Sequence, residues 1–367
     1  MNDVVMEVNN PKEYIIALSL ARNAFLDNVS ICVNNMRGDF SHIITQDIQD
    51  GINGLFSTNY GFFPAAQTRS YSSRILFNPL GLIANVHLNA LYMSSEKERN
   101  DFNCIAAEIS KLLIEECGFY TSDMSRIVAF TNWIRKYFVY RNTNNYQDHS
   151  AAELLKNRAG VCQAIAALAV VVLPYMGIRT QYVAGQGKGN GSWGNHAWNI
   201  VCINGEWIHV DFTFALNSIG IPMTSNIIST KMFRANHKWD ENAFSNVAIE
   251  ARHYMNDSIS KGEIVLYKNQ EFFMINEVKI HTKFPIYYEY SNQDYIRFYD
   301  LLKYMGGGCE IDLEKNMIRI CVADKVHLIP VTTNIVEYEA GGINKRSLEI
   351  ANINNVEING KLMFRFM

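Results

Sequence analysis

The most apolar part of the chain, residues 160–178, reads GVCQAIAALAVVVLPYMGI and carries Pro174 near its end. A segment that is apolar all around predicts a buried helix. Two shorter apolar runs follow at 196–203 and 206–212, and their β-branched and aromatic residues favour strands. Asn204-Gly205 separates them and is typical of a type I′ turn. The pattern therefore predicts a buried helix followed by an antiparallel hairpin.

Elsewhere the spacing of apolar residues is in some segments typical of a helix and in others typical of a strand. Helices are predicted at 11–26, 47–56, 102–118, 122–138 and 294–307, and strands at 29–33, 82–93 and in several runs after residue 262. This order predicts an α+β fold in three parts. They are an α+β N-terminal region (1–100), a core with the buried helix and hairpin (101–260) and a β-rich C-terminal domain (262–367).

Length and composition narrow the class of protein. With 367 residues, two or three domains are expected, and 48% hydrophobic with 19% charged residues is a globular balance. The net charge of -3 gives no electrostatic reason to expect nucleic acid as a partner. We expect no membrane span, because no apolar run reaches about eighteen uninterrupted residues. No secretory signal is visible in residues 1–14, so a cytoplasmic location is the default.

The cysteines show no regular spacing. Seven are scattered without a CxxC pair, at positions 32, 104, 117, 162, 202, 309 and 321. An odd count without such pairs argues against a disulfide framework and against a zinc site. We expect reduced thiols, one of them reactive, with no metal and no cofactor.

Cys162, His196 and Asp211 lie where covalent acyl-transfer chemistry would need them. Cys162 opens the buried helix, where unpaired N–H groups and the helix dipole favour a thiolate. The hairpin would place His196 on one strand and Asp211 at the end of its neighbour, both facing that helix end. Nucleophile, base and orienting carboxylate are then all present.

Each residue also has a structural interpretation. A cysteine in an apolar helix is most often part of the core. His196, close to Trp198, is consistent with a buried histidine, and Asp211 with a turn residue at a strand end. Three such positions within about fifty residues favour catalysis over packing.

The surrounding residues, about 110–240, resemble the bacterial transglutaminase-like superfamily, which includes papain-like cysteine proteases and transglutaminases. The segments that carry the resemblance are Gly160-Val161-Cys162-Gln163, Met176-Gly177-Ile178-Arg179, Tyr182-Val183-Ala184-Gly185, His196-Ala197-Trp198 and Val210-Asp211. Residues 229–244 are also similar to a segment that follows the triad in these proteins. Within the superfamily the chain is most similar to the cytokinesis-associated transglutaminase/protease-like group. The resemblance implies a papain/transglutaminase-like core, with the catalytic cysteine at a helix N-terminus packed on an antiparallel sheet.

Two departures from the family pattern matter. Phe212 replaces the proline that commonly follows the aspartate, which changes local rigidity but keeps the carboxylate. The Gly-Gln-Cys-Trp motif of animal transglutaminases is also absent. Its absence counts against protein crosslinking more than against acyl transfer.

Four further residues are candidate substrate or oxyanion contacts: Gln163, Trp193, Trp198 and Tyr140. The resemblance implies an aromatic donor upstream of the cysteine, and Trp133 and Tyr140 are both candidates for that role. Trp193 lies in the glycine-rich stretch 185–195, which is either an ordinary flexible connection or a mobile flap over the cleft.

Residues 262–367 resemble the copper amine oxidase N-terminal-like repeat. The resemblance is carried by Phe273-Met274-Ile275-Asn276, Asp294-Tyr295-Ile296-Arg297, Gly306 and Ile311-Asp312, with a second copy from Val326. His281 and His327 are isolated, so no copper site is expected. The resemblance implies a binding or spacer module, a cell-wall component as its partner, and an extracellular or cell-surface location.

Together these observations predict thiol-dependent acyl transfer on a peptide or a glutamine carboxamide through a Cys-His-Asp triad and a thioester. The expected partner is a protein or peptide substrate, and hydrolysis, as in a protease or deamidase, is favoured over transfer to an amine. Two alternatives remain open, a non-catalytic scaffold and a cell-wall-binding protein.

Overall fold

The computed structural model describes residues 4–35, 68–81, 83–118, 122–189, 191–217, 233–246, 249–250, 263–290 and 293–305, followed by a series of strands. The chain forms two compact units. Unit 1 comprises Met1–Asn53, Ser70–Leu91 and Met255–Met367, and unit 2 comprises Gly54–Arg69 and Tyr92–Tyr254.

The regular elements are numbered in chain order. The strands are β1 (Val4–Val8), β2 (Asn28–Val33), β3 (Thr68–Phe77), β4 (Ala84–Tyr92), β5 (Val139–Tyr140), β6 (Ala159–Gly160), β7 (Thr180–Gly189), β8 (Ser192–Ile203), β9 (Glu206–Val210), β10 (His237–Lys238), β11 (Ile264–Tyr267), β12 (Phe272–Ile275), β13 (Val278–His281), β14 (Tyr287–Tyr290), β15 (Gln293–Ile296), β16 (Gly308–Asp312), β17 (Met317–Val322), β18 (Lys325–Pro330), β19 (Ile335–Ala340), β20 (Ile343–Glu349), β21 (Val356–Ile358) and β22 (Lys361–Phe364). The helices are α1 (Pro11–Asn23), α2 (Glu96–Cys117), α3 (Asp123–Tyr137), α4 (Ala151–Asn157), α5 (Cys162–Tyr175), α6 (Phe212–Asn217) and α7 (Phe298–Leu302), with short 3-10 helices at Tyr146–His149 and Lys303–Met305.

Unit 1 is built around a nine-stranded sheet in the order β21-β22-β11-β12-β13-β1-β2-β4-β3. β1 and β2 are parallel and joined through α1, whereas β1 is antiparallel to β13 on its other side. α1 begins at Pro11, and the side chain of Asn10 caps it by accepting a hydrogen bond from the Glu13 N–H at 2.9 Å. Its buried residues, such as Tyr14 and Leu18, belong to the core of this unit.

Two smaller sheets complete the described part of unit 1. Their strand orders are β14-β15-β20-β19 and β16-β17-β18. The helix predicted at 294–307 is wrong in its first turn, since β15 continues to Ile296 and α7 begins only at Phe298. Tyr295 and Ile296 pair with both β14 and β20, so sheet pairing overrides the helical spacing of the apolar residues.

Unit 2 is organised around α5, which is as buried as its apolar sequence predicts. Ten of its residues form part of one core cluster, from Ala164 to Leu173. The helix packs against the antiparallel sheet β10-β7-β8-β9 and against α2 and α4. It begins at Cys162, and Pro174 lies in its last turn.

The hairpin between β8 and β9 has the predicted geometry. Asn204 and Gly205 have φ values of 52° and 86°, and a type I′ turn requires positive φ at both central residues. Ile203 pairs with Glu206 across the turn. The Asn204 N–H also donates to Asp123 Oδ2 at 2.9 Å, which ties the turn to the start of α3.

These elements confirm the α+β class. The division into three regions remains a prediction, and strands from residues 1–100 and 262–367 share the nine-stranded sheet. The helix predicted at 47–56 lies outside the described residues, and the likeness of 262–367 to the copper amine oxidase N-terminal-like repeat also remains a prediction. None of the described helices is long and apolar enough to cross a membrane.

Candidate active site

Cys162 is the first residue of α5 and is half-buried. The N-cap residue, Val161, makes no side-chain cap, and its own N–H donates to the Asp148 carbonyl at 2.9 Å. The first N–H groups of α5 therefore have no side-chain cap, and Cys162 lies at the positive end of the helix dipole.

His196 lies on β8 with its side chain 10% exposed, and it reaches both other triad residues. Its Nε2 is 2.7 Å from Asp211 Oδ2, and its ring also hydrogen-bonds to Cys162. Because Nε2 faces the carboxylate, the bond to the sulfur involves Nδ1. The structure thus brings Cys162, His196 and Asp211 into one hydrogen-bonded chain.

Asp211 lies between β9 and α6, and four groups donate to its carboxylate. Oδ1 accepts from the backbone N–H groups of Thr213 and Phe214 at 2.8 and 3.0 Å, and Oδ2 faces His196 and His237. Burial opposes ionisation here, but the hydrogen bonds from the two histidines outweigh it and hold the pKa of the carboxyl below its ordinary value. Asp211 is therefore an anion inside the protein.

The ionisation of His196 follows from the same contacts. Burial alone would lower the pKa of this imidazole, but hydrogen bonds to Asp211 and Cys162 raise it to about 10. His196 is therefore protonated at neutral pH. A positive ring hydrogen-bonded to sulfur stabilises the thiolate form of a cysteine.

Phe212, the residue after Asp211, anchors this corner by packing. It is 1% exposed and meets Phe130 of α3 edge-on, with ring centroids 5.0 Å apart. An aromatic side chain buried in the core thus restrains the residue after Asp211 through side-chain contact.

The glycine-rich stretch 185–195 is mostly strand, which corrects the prediction of an ordinary flexible connection, whereas the mobile flap over the cleft stays a prediction. β7 continues to Gly189 and β8 starts at Ser192, which leaves only two residues between the strands. A Cβ on Gly187 would lie 2.8–3.0 Å from the His196 side chain, and one on Gly185 would lie 2.6 Å from Trp198. These two glycines give the two rings room to lie against β7.

His237 has no role predicted from the sequence, yet it contacts Asp211 directly. It lies on β10 with its side chain 1% exposed, and its Nε2 is 2.9 Å from Asp211 Oδ2. The one signal in the sequence that could have pointed to His237 is its position within residues 229–244. This segment is similar to one that follows the triad in the resembled superfamily. A strand of two residues has no periodicity that could have placed it.

Trp198 is fully buried below the triad, which does not fit the predicted contact with substrate. Its indole N–H donates to His209 Nδ1 at 2.9 Å, and its ring lies 5.8 Å from that of His196. Burial first, then the charges of His237 and Arg234, lower the pKa of His209 to about 3, so His209 is a neutral acceptor. Trp198 supports the triad from the core.

The other three candidates are accessible to different degrees. Tyr140 pairs with Gly160 and is 44% exposed, and burial, then the charges of Cys162 and Asp211, raise its pKa. Gln163 Oε1 lies 2.8 Å from His149 Nδ1. Trp193, near the end of the β7–β8 hairpin, is 37% exposed with Lys238 Nζ 4.2 Å above its ring. Their predicted contacts with substrate remain predictions.

His196, Asp211 and His237 are also the described residues whose donor atoms are close enough to share a metal ion, within 4.8 Å of one another. Both Nε2 atoms point at one carboxylate oxygen at hydrogen-bond distance. One acceptor between two N–H donors suits a proton network.

Comparison with known proteins gives one match to a family. Residues 113–212 match the model described as the transglutaminase-like superfamily. No curated protein matches the chain. The greater similarity to the cytokinesis-associated group remains a prediction.

Three solved structures are similar to parts of the chain. A candidate cysteine protease from Cytophaga hutchinsonii is 17% identical, with 48% of this chain and 73% of that one covered and a TM-score of 0.26. A structure described as a TGase is 13% identical, with 65% of each chain covered and a TM-score of 0.28. A candidate protease from Parabacteroides distasonis is 11% identical, with 50% of this chain and 39% of that one covered and a TM-score of 0.24.

These scores are too low to carry an argument about activity. The matched range contains all three triad residues and ends one residue after Asp211. Residues 113–212 are therefore similar to the transglutaminase-like superfamily.

Proposed function

We propose that this protein catalyses thiol-dependent acyl transfer on a protein or peptide substrate, at a peptide bond or a glutamine carboxamide. The observation that carries the proposal is the continuous hydrogen-bonded chain from Cys162 through His196 to Asp211. A protonated histidine between a sulfur and a buried carboxylate is the resting arrangement of a cysteine nucleophile.

In the first half-reaction the thiolate of Cys162 attacks the carbonyl carbon and forms a C–S bond. The carbonyl oxygen becomes an oxyanion, to which the backbone N–H of Cys162 and the Tyr140 hydroxyl are the proposed donors. The tetrahedral species collapses when the C–N bond breaks. His196 gives its proton to the leaving amine or ammonia, and a thioester remains on Cys162.

In the second half-reaction an acceptor resolves the thioester. Neutral His196 takes a proton from the acceptor as it attacks, and the C–S bond then breaks to restore the thiolate and the imidazolium. We favour water as the acceptor, because the exposed face of Tyr140 leaves this side of the site open to solvent. Asp211 stays ionised throughout and stabilises the positive ring.

The proposal is tested by labelling with an activity-based thiol probe at pH 6. Wild type should be labelled at Cys162, and Cys162→Ala should lose the label. Cys117→Ala is the matched control, since Cys117 is another half-buried thiol of unit 2, whose pKa is raised by burial above that of an ordinary thiol. This control should keep wild-type labelling.

The reaction is then identified by mass spectrometry of a glutamine-containing peptide incubated with and without a primary amine. Conversion of the amide to an acid shows deamidation, chain cleavage shows proteolysis, and amine addition shows transglutamination. Equal labelling of Cys162→Ala and wild type, with no product from the peptide, would contradict the proposal and support a non-catalytic scaffold.

A further inference from the structure

His237 is a fourth residue at the proposed active site, beyond the cysteine, the histidine and the aspartate that the proposed reaction uses. Its Nε2 lies 2.9 Å from Asp211 Oδ2, the same oxygen that His196 Nε2 approaches at 2.7 Å. The two rings lie on different strands, β10 and β8, so the carboxylate oxygen joins two separate parts of the sheet.

The surroundings of His237 define what its ring can do. An ionised carboxylate only accepts hydrogen bonds, so the Nε2 atom facing Asp211 must carry a proton. Nδ1 lies 2.7 Å from the side-chain oxygen of Asn236. The ring is stacked on Phe233, with centroids 3.7 Å apart, and cannot turn away without losing that contact.

The backbone around His237 is fixed as well. His237 and Lys238 pair with Gly187 and Gln186 of β7, and the Asn236 carbonyl accepts from the Lys188 N–H at 2.8 Å. His237, which donates to Asp211, is therefore held in place by a strand pairing and by an aromatic stack.

We propose that His237 is a positioning residue that keeps Asp211 ionised and directed at His196, and thereby maintains the reactive Cys162–His196 pair in mildly acidic solution. The inference rests on the proposed function. The physical reason is that Asp211 is 2% exposed, and a buried carboxylate oxygen whose lone pair lacks a donor is costly. Without the hydrogen bond from His237, the neutral, protonated form of Asp211 becomes more favourable.

Several other ionisable groups face this pair from the neighbouring elements. Asp211 faces His196 on β8 and Tyr140 on β5, and His196 faces Cys162 on α5. His209 on β9 faces His237 and Arg234, which lies in the segment before β10. The pKa of His209 is lowered to about 3, mainly by burial, so this residue stays neutral from pH 4 to pH 8. Arg234 keeps its charge throughout that range. A change in the reactivity of Cys162 at acid pH is therefore attributable to the proposed triad and to His237, the second donor to Asp211.

The test measures the rate of Cys162 alkylation by iodoacetamide between pH 4 and pH 8, followed by mass spectrometry of the Cys162 peptide. His237→Phe keeps an aromatic ring against Phe233 but removes the donor. In this variant the fall in alkylation rate on the acid side of the pH profile (the acid limb) should move to higher pH by about one unit. This is the size expected when a charged group loses a hydrogen bond. His237→Gln places an amide N–H near the former Nε2 and should return the limb close to wild type.

The outcomes separate this inference from the proposed function. If wild-type Cys162 reacts no faster than a free thiol at pH 6, the proposed function fails, and the inference with it. If wild type is reactive but His237→Phe has the same acid limb, the inference alone is wrong. A shift in His237→Gln as large as that in His237→Phe would also overturn it, because a purely structural role predicts that both variants are impaired.

A second measurement applies if His237→Phe does not fold. Nitrogen-15 NMR of the labelled wild-type histidines should show a proton on Nε2 of His237, with the signal identified by its loss in His237→Gln. An unprotonated Nε2 would overturn the inference.

Discussion

The two ends of β8 carry similar sets of side chains with different consequences. At one end Cys162, His196 and Asp211 form the proposed triad. At the other end the thiol of Cys202 lies 2.9 Å from the Arg179 guanidinium, which is bonded to the Glu250 carboxylate at 3.0 Å. Both ends thus combine a sulfur, a cation and a carboxylate.

Each end also has a tryptophan. Trp207 pairs with Cys202 in the hairpin, donates to Glu250 at 2.6 Å and lies 4.9 Å below the Arg179 guanidinium. Trp198 lies below the triad and donates to His209 instead. The arrangement of residue types alone does not tell the two ends apart.

Three physical differences do separate them. Arginine keeps its proton, whereas histidine can release and recover one during a reaction. Glu250 is about half exposed, so water weakens its pairing with Arg179, whereas Asp211 is 3% exposed. Cys202 is 7% exposed and offers little access to an acyl group, whereas Cys162 is half-buried at a helix start. A reactive thiol therefore needs an exchangeable proton, a buried carboxylate and an entrance together.

Removal of the carboxylate charge should give the largest contrast between the two ends. Asp211→Asn should lower kcat on a glutamine peptide by about a thousandfold or more, because the His196 ring loses the anion that stabilises its positive form. Glu250→Gln should stay within about threefold of wild type. Steady-state kinetics on both variants measures the contrast, and similar losses in the two would contradict it.

A methyl group beside the His196 ring should have the next largest effect. Gly187→Ala places a Cβ 2.8–3.0 Å from the imidazole side chain and displaces it, so kcat should fall by about ten- to a hundredfold. The control is Gly189→Ala on the same strand, where an added Cβ meets nothing within 4 Å. Wild-type kinetics in Gly187→Ala would mean that the ring tolerates displacement or does not act as the base.

The pH dependence of stability should distinguish the two cations. The pKa of His196 is raised from 6.5 to about 10, so its contribution to stability is complete below pH 6.5 and is lost as pH rises towards 10. The unfolding free energy difference between wild type and His196→Gln should therefore shrink over this range. The difference for Arg179→Gln should stay constant, because arginine does not titrate there. Urea denaturation from pH 6 to pH 10 checks both, and a constant difference for His196→Gln would show that its pKa is not raised.

The smallest expected effect concerns the two tryptophans. Trp198→Phe removes the donor to buried His209 and leaves space in the core, and should cost about 1–3 kcal/mol of unfolding free energy. Trp207→Phe loses a bond to half-exposed Glu250 and should cost less than about 1 kcal/mol. Chemical denaturation of both variants gives the comparison, and an equal cost would mean that the aromatic cluster below the triad contributes little.

The proposed triad could be predicted from the sequence because its members lie on or beside elements with a clear local pattern. An apolar helix starting at Cys162 and a hairpin around Asn204-Gly205 are enough to bring His196 and Asp211 towards one helix end. The α+β class follows from the same elements. These features depend on neighbours within a few residues, which local periodicity describes well.

The remaining features depend on contacts between distant parts of the chain. His237 reaches Asp211 from a strand of two residues, and Gly187 is small because of a ring nine residues away across the hairpin. The pairing of Met6 with Ile280 brings the start of the chain beside a late strand, and no local pattern indicates which edge β1 selects. The predicted contact of Trp198 with substrate does not fit its burial. That burial depends on Phe233 and His237, which come much later in the chain and could not be placed beside it by a local pattern.

The position of β1 between β2 and β13 has a consequence for synthesis of the protein. The ribosome makes the whole of unit 2 before the antiparallel partner of β1 exists, so one edge of that early strand must wait unpaired through most of translation. Exposed strand edges pair with other chains. A nascent chain arrested near residue 260 should therefore depend on chaperones far more than the finished protein does.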